Sequence, residues 1–312
     1  MAQTVPLLPR GDVIVVGGDR RQNTVCIRLA ESGWRVSAVG LGADTPTHTA
    51  IRRCESVDKA LERVPASHTD PPSALILPLP VSRDGRTVWC PCDPTSSITL
   101  EHISELAERY PRLRIFGGCL PPELSDRSID YYEDESVQIR NAHLTAEAAL
   151  MLAMEQTDRA VRDLTVAIIG YGRIGHMLAH ILTALGASVT VCARRPESRA
   201  WAACEGCRTL SVTSITDLCY GYDVIYNTVP SFVLRREVLL TMDTDTLLLD
   251  LASGASPEVI RECAESRGLR YVRAPSLPGR YAPAEAGRII SDCILSHLSD
   301  AVGAQTKGGQ GI

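Results

Sequence analysis

From Val13 onward, short apolar runs alternate with amphipathic ones: VIVVG, a helical pattern over Arg21 to Glu31, then VSAVG, and later ALILP and RIFGG. The runs are apolar throughout rather than at every second residue, and Gly or Pro bounds them. That pattern belongs to strands buried on both faces of a parallel sheet, with the amphipathic segments as its covering helices. Residues 1–140 are therefore expected to form one α/β domain, flavodoxin-like or Rossmann-like. The Pro- and Ser-rich stretch 65–94 is expected as loop on its rim. From Asn141 to Asp158, NAHLTAEAALMLAMEQTD reads as a linker helix with Leu144, Ala148 and Leu152 on its apolar side. A second series follows: TVAIIG, a helix over Arg173 to Leu185, SVTVC, a helix after Pro196, RTLSV, DVIYN, a helix near Arg235 to Met242, TLLLD, a helix after Pro257, and LRYVR. The final helix, 283–300, is expected to pack back on the N-terminal domain, and the glycine-rich tail 303–312 to be flexible.

Six strands with intervening helices make a complete dinucleotide-binding fold, so 141–290 is read as an NAD(P)-binding Rossmann domain. Gly170, Gly172 and Gly175 satisfy G-x-G-x-x-G, a weak pattern alone. Here it follows a buried strand and opens an apolar-periodic helix. Gly170 makes the tight turn, Gly172 lets the backbone approach a pyrophosphate, Gly175 allows close helix packing, and Arg173 and Ile174 start the helix whose N-terminus faces the phosphates. At the end of the next strand, where a carboxylate would accept the ribose hydroxyls of NAD, stand Arg194 and Arg195. Guanidinium groups suit the 2′-phosphate of NADP, solvated surface arginines being the plain alternative. Along the same edge lie Asn227, Thr228, Val229 and Pro230, then Asp250, Ala252 and Ser253, the natural neighbours of the nicotinamide and its ribose, or simply strand ends. In the first domain Gly17-Gly18-Asp19-Arg20-Arg21-Gln22 also joins a strand to a helix. It lacks the full fingerprint and reads as a carboxylate site, or as a capped helix with exposed arginines.

Composition narrows the partners. The 312 residues carry a formal net charge of −5, which leaves no basic footprint for nucleic acid. MAQTVPLLPR has no signal-peptide core, and nothing approaches the roughly 18 apolar residues of a membrane helix, so a cytoplasmic protein is expected. The eleven cysteines are scattered; Cys90/Cys92 and Cys204/Cys207 have no further ligands at zinc-site spacing, so no metal is assigned. Only Lys59 and Lys307 are lysines, which removes lysine-based chemistries from the whole middle of the chain.

GGDRRQ, TAEAALMLAM, GYGRIG, NTVP, DLAS and SLPGRYAPAEAG, in this order over residues 11–298, resemble the A subunits of dipicolinate synthases. Departures are Ala148, where the family often has Gly, and Glu285, where it often has Thr. The resemblance implies oxidation of dihydrodipicolinate to pyridine-2,6-dicarboxylate with NADP as hydride acceptor, in the mother cell during sporulation. It also implies a second, flavoprotein-like B subunit; association with copies of itself is left open. A dicarboxylate substrate needs cationic or N–H partners, and Arg21, Arg280, Ser82 and Thr145 are the candidates. Asp19, Glu147 and water are candidate proton acceptors. A 2-hydroxy acid dehydrogenase would share the plan but needs a catalytic His, and none occurs between His180 and His297. A non-catalytic NADP-binding regulator is the remaining alternative.

Overall fold

The structure, a computed structural model, describes residues 10–63, 73–126, 128–229, 234–252 and 258–307. The chain divides into two compact units, one formed by the residues up to Gln138 together with those from Pro283 onward, the other by Ile139–Ala282.

In the first unit β1 (Asp12–Val16), β2 (Arg35–Val39), β3 (Ile51–Cys54), β4 (Ala74–Ile76), β5 (Arg114–Gly117) and β6 (Ser128–Asp130) form one parallel sheet in the order β3-β2-β1-β4-β5-β6. Its helices are α1 (Arg21–Glu31), α2 (Val57–Leu61), α3 (Leu100–Arg109) and α4 (Pro122–Ser125). The long helix α5 (Glu135–Gln156) leads into the second unit. There β7 (Thr165–Ile169), β8 (Ser188–Ala193), β9 (Arg208–Ser211), β10 (Val224–Asn227), β11 (Leu247–Asp250) and β12 (Arg270–Arg273) make a second parallel sheet, ordered β12-β11-β10-β7-β8-β9. Between and after these strands run α6 (Arg173–Ala184), α7 (Pro196–Cys204), α8 (Arg236–Thr241), α9 (Glu258–Arg267) and α10 (Leu277–Tyr281); α11 (Pro283–Lys307) closes the described chain. Counted from its own first strand, each sheet has the doubly wound 3-2-1-4-5-6 order, whose direction reverses beside that strand.

The central strands account for the topology. Val13, Val15 and Val16 are 0% exposed, as are Leu247, Leu248 and Leu249, so both faces of each sheet need a helical layer. The edges behave differently. IRRC of β3 exposes Arg52 and Arg53 and pairs with β2 alone, and SID of β6 pairs only with β5. Such short polar strands carry no apolar run, and neither stands out in the sequence pattern.

Helix α5 begins before Asn141, because the Asp134 carboxylate accepts from the amides of Ser136 at 2.8 Å and Val137 at 3.3 Å. Its Ala146, Ala149, Leu152 and Ala153 join the second unit's core, beside Leu164, Val166 and Ile168. Helix α11 runs on to Lys307, through Gly303. Within the first unit it packs against α1, and the approach is close: a Cβ on Gly287 would fall on the Arg21 carbonyl oxygen and 2.7 Å from Thr24 Cβ. Arg28 to Asp292, at 3.1 Å, and Arg114 to the His297 carbonyl, at 2.8 Å, tie the same helix down.

Gly287→Ala is accordingly expected to push α11 off α1 and to destabilise the protein by about 1–3 kcal/mol, the usual cost of overpacking. Urea unfolding against wild type checks this; an unchanged midpoint would show that the helices slide apart freely.

Candidate functional site

In the second unit β7 ends at Ile169 and the chain turns at Gly170, whose φ of +99° lies in the left-handed region and whose N–H donates to the Cys192 carbonyl at 2.9 Å. A Cβ there would meet Thr228 Oγ1 at 2.5 Å. A Cβ on Gly175 would fall on the Gly170 carbonyl oxygen, so this glycine lets α6 start directly against the turn. Gly172 differs from both: a Cβ there has nothing within 4 Å, and the residue is exposed. Gly172 is the N-cap of α6 and has no side-chain cap, so the first amides of the helix and its partial positive charge face outward. Arg173 is exposed at the first position of α6, and Ile174 packs against the core. A glycine no internal contact requires, at the uncapped end of a twelve-residue helix, fits the diphosphate of a dinucleotide.

Beyond β8, Arg194 and Arg195 are both exposed, Arg195 as N-cap of α7. A third arginine, not singled out from the sequence, shapes this turn. Arg199 Nη1 donates to the carbonyls of Ala193 at 2.9 Å and Arg194 at 2.8 Å. Its signal was only its place one helical turn into α7, facing back toward the strand end.

Asn227 and Asp250 are 4% and 3% exposed and bond to each other, Asn227 Nδ2 to Asp250 Oδ1 at 2.8 Å. Tyr271 donates its hydroxyl to Asp250 Oδ2 at 3.1 Å, and the amides of Val229 and Ala252 point to Asn227 Oδ1 at 3.3 Å and Asp250 Oδ1 at 3.4 Å. Thr228 donates its hydroxyl to the Ile169 carbonyl at 2.9 Å. These side chains thus brace the carboxyl edge, joining the ends of β7, β10 and β11. Pro230 and Ser253 lie outside the described residues.

The first unit uses the same corner differently. Gly17 and Gly18, at φ +62° and +94°, are covered by the chain itself. Gly18 N–H donates to the Trp89 carbonyl at 2.7 Å, and a Cβ on Gly17 would meet Cys90 Sγ at 2.7 Å. Of the stretch expected as rim loop, Ala74–Ile76 is instead the strand β4 beside β1, and Trp89 and Cys90 sit over the glycine turn, where a dinucleotide's phosphates would go. Beside it Arg21 is 6% exposed; its Nε and Nη2 donate to the two oxygens of Asp19 at 2.8 and 3.0 Å, and Nη2 also reaches the Leu79 carbonyl. Neither member is a free surface group, and both Asp19 oxygens accept from Arg21. Gln22, the residue after it, is 2% exposed, and both polar atoms of its amide lack a hydrogen-bond partner; it lies beside Gly18. Such an amide is costly to bury unpaired.

The other candidates are dispersed. Ser82 is half-buried and donates to Asp84 at 3.0 Å, and Thr145 donates to the Asn141 carbonyl at 2.8 Å within α5. Arg280 is exposed, its guanidinium 5.3 Å from the Tyr281 ring centre. Glu147 is exposed on α5 and pairs with His143 at 3.2 Å, a neighbour not singled out from the sequence although i,i+4 spacing on a helix puts them together. Burial pushes the Cys26 thiol up to about 12 and that of Cys192 to about 11, as in inert cysteines. Among the described residues no His/Cys/Asp/Glu group could hold a metal ion, and no helix is long and apolar enough to cross a membrane.

Fold and glycine turn together define a two-unit α/β protein whose second unit is a dehydrogenase-like NAD-binding domain: residues 136–256 match the family "D-isomer specific 2-hydroxyacid dehydrogenase, NAD binding domain". Residues 12–138 match the family formed by the N-terminal domain of the dipicolinate synthase A subunit. The A subunit of dipicolinate synthase from Bacillus subtilis (strain 168) is 28% identical over 95% of this chain and 98% of its own. The crystal structure of the dipicolinate synthase A subunit from Bacillus halodurans superposes with a TM-score of 0.80 at 28% identity, covering 93% of this chain and 98% of that one. The Bacillus subtilis structure gives the same TM-score and identity over 96% and 99%. The chain thus resembles the dipicolinate synthase A subunit over nearly its whole length, in sequence as in fold.

Because nothing in the protein meets a Cβ at position 172, Gly172→Ala should leave the stability of the unliganded protein within about 0.5 kcal/mol. Dinucleotide affinity should fall at least roughly tenfold, since the methyl group then blocks the approach of the diphosphate. Melting curves and calorimetric titration with NAD and NADP read the two effects separately; unchanged affinity would remove the phosphates from this turn.

Proposed function

We propose that the chain is the A subunit of a dipicolinate synthase, oxidising dihydrodipicolinate to pyridine-2,6-dicarboxylate with NADP as acceptor. The observation that carries the reading is the full-length resemblance to the dipicolinate synthase A subunit, joined to an outward-facing glycine turn in the second unit.

The residues at that edge suit NADP. The α6 N-terminus at Gly172 and Arg173 receives the diphosphate, and Arg194 and Arg195, exposed on a turn held by Arg199, meet the 2′-phosphate. The braced ends at Asn227 to Val229 and Asp250 to Ala252 wall the nicotinamide side. When bound, the nicotinamide takes up a hydride from the substrate. The protein's own part is modest, because loss of a hydride and a proton leaves an aromatic pyridine ring, and that gain lies in the substrate. Positioning is the main requirement. Arg280, exposed, is the cationic candidate for a substrate carboxylate; Arg21, buried against Asp19 and the Leu79 carbonyl, holds the turn that carries the unpartnered Gln22 amide, and Ser82 and Thr145 are hydroxyl candidates. Of the two candidate carboxylate bases, Glu147 is the open one, and His143 at 3.2 Å can share the proton it accepts.

The chain has no His between His180 and His297, so the acid/base group of a 2-hydroxy acid dehydrogenase is missing from most of the second unit. The match to that family therefore speaks for the nucleotide fold. A partner B subunit, flavoprotein-like by the resemblance, completes the enzyme by excluding water or presenting substrate. Cytoplasmic action during sporulation belongs to the same reading.

The decisive experiment mixes the chain with dihydrodipicolinate and NADP, and follows absorbance of NADPH and of the pyridine product while the B subunit is titrated. Turnover that rises steeply with the partner is expected; absence of both products at every partner concentration rejects the function, and a partner-independent rate rejects the need for the second subunit. In binding assays, replacing both Arg194 and Arg195 with Ala should weaken NADP by up to about a hundredfold while NAD changes little. Equal losses for both dinucleotides would take the 2′-phosphate away from this turn.

A further inference from the structure

Glu205 follows α7 as its C-cap, and its backbone N–H donates to the Trp201 and Ala202 carbonyls, each at 3.2 Å. Its carboxylate engages the glycine turn. Tyr171, the residue between Gly170 and Gly172, donates its hydroxyl to Glu205 Oε2 at 2.6 Å, and His176 Nε2, on α6, lies 2.8 Å from Oε1. The two rings also meet, with centroids 5.3 Å apart. Burial pushes the Glu205 carboxyl up, but Tyr171 and His176 more than offset this and hold it below its ordinary range. The Tyr171 phenol is raised by burial and by that same carboxylate.

A negative group beside a turn that receives a diphosphate works against binding by simple Coulomb repulsion. Its presence there calls for a geometric reason. The turn is glycine, tyrosine, glycine: Gly170 is held in the left-handed region, Gly172 has open space on its Cβ side, and Tyr171 carries the only side chain between the strand end and the helix N-cap. This glycine-flanked turn is thus anchored through one side chain, and that anchor ends on Glu205. The same residue ends the helix that starts just after Arg194 and Arg195, whose carbonyl turn Arg199 holds at the other end. One carboxylate therefore joins the glycine turn, the first turns of α6 and the far end of α7.

We propose that Glu205 is a positioning residue for dinucleotide binding: by holding Tyr171 and His176 it keeps the Gly170–Gly172 backbone and the α6 N-terminus in the arrangement that receives the diphosphate. The proposal rests on the reading of the second unit as the dinucleotide site. It is tested on the full-length chain with Y171F, E205A, E205Q and the double variant Y171F/E205A, using calorimetric affinity for NADP and for NAD, melting of the unliganded proteins, and KM and kcat with the B subunit. Y171F and E205A should each weaken dinucleotide binding about three- to tenfold, the effect of one charge-assisted hydrogen bond. The double variant should be no weaker than E205A, because both changes remove the same link. E205Q, whose amide oxygen still accepts from Tyr171, should stay within about twofold of wild type. KM for the cofactor should rise in step with the dissociation constant while kcat holds, and the unliganded melting temperatures should not follow the affinities. Losses that multiply in the double variant, an E205A protein with wild-type affinity, or affinities that track melting temperature through the series would each overturn the proposal. A wild-type chain that binds neither dinucleotide would overturn the underlying reading as well, and so separates the two failures.

Discussion

The sites in this molecule depend on how closely a helix N-terminus can approach the strand before it, and only a residue without a Cβ permits that approach. Gly175 against the Gly170 carbonyl sets it in the second unit, and Gly18 against Gln22, in the first turn of α1, sets it in the first. The parallel sheets impose the geometry, since each strand of a doubly wound sheet delivers the chain to the same carboxyl edge before a helix returns. The two units have the same strand order, yet they meet this edge with opposite results. In the second the amide-rich corner opens outward; in the first the chain folds its own segment over it. A shared topology therefore leaves this corner open in one unit and covered in the other.

Arginine does most of the linking. With lysine almost absent, planar guanidinium groups serve both as internal braces and as exposed charges, and their surroundings separate the two uses. Arg21 is buried against Asp19 and the Leu79 carbonyl, and Arg199 is turned back onto Ala193 and Arg194. Arg194 and Arg195 project outward from the turn that Arg199 stabilises. A guanidinium already surrounded by acceptors holds backbone in place; an exposed one on a braced turn is available to an anion. The paired Asn227 and Asp250 show the same economy among uncharged and acidic groups, where buried polar atoms satisfy one another and stiffen the strand ends around them.

Whatever local period and local backbone demand govern was legible from the order of residues. Apolar runs such as VIVVG and TLLLD required strands buried on two faces, GYGRIG between a strand and an amphipathic helix required a tight glycine turn, and all six strands of the second unit followed from these rules. The first unit's edge strands IRRC and SID did not, because they are short and polar and, paired on one side only, need no apolar run. Long-range packing, by contrast, settled which polar groups remain available. Whether Arg21 is free or buried, whether the Gly17–Gly18 corner is open or covered by Trp89 and Cys90, and whether Tyr171 has a partner 34 positions away in Glu205 all depend on contacts between segments distant in the chain. Hydrogen-bond satisfaction is fixed by those contacts, and no local pattern of residues encodes it.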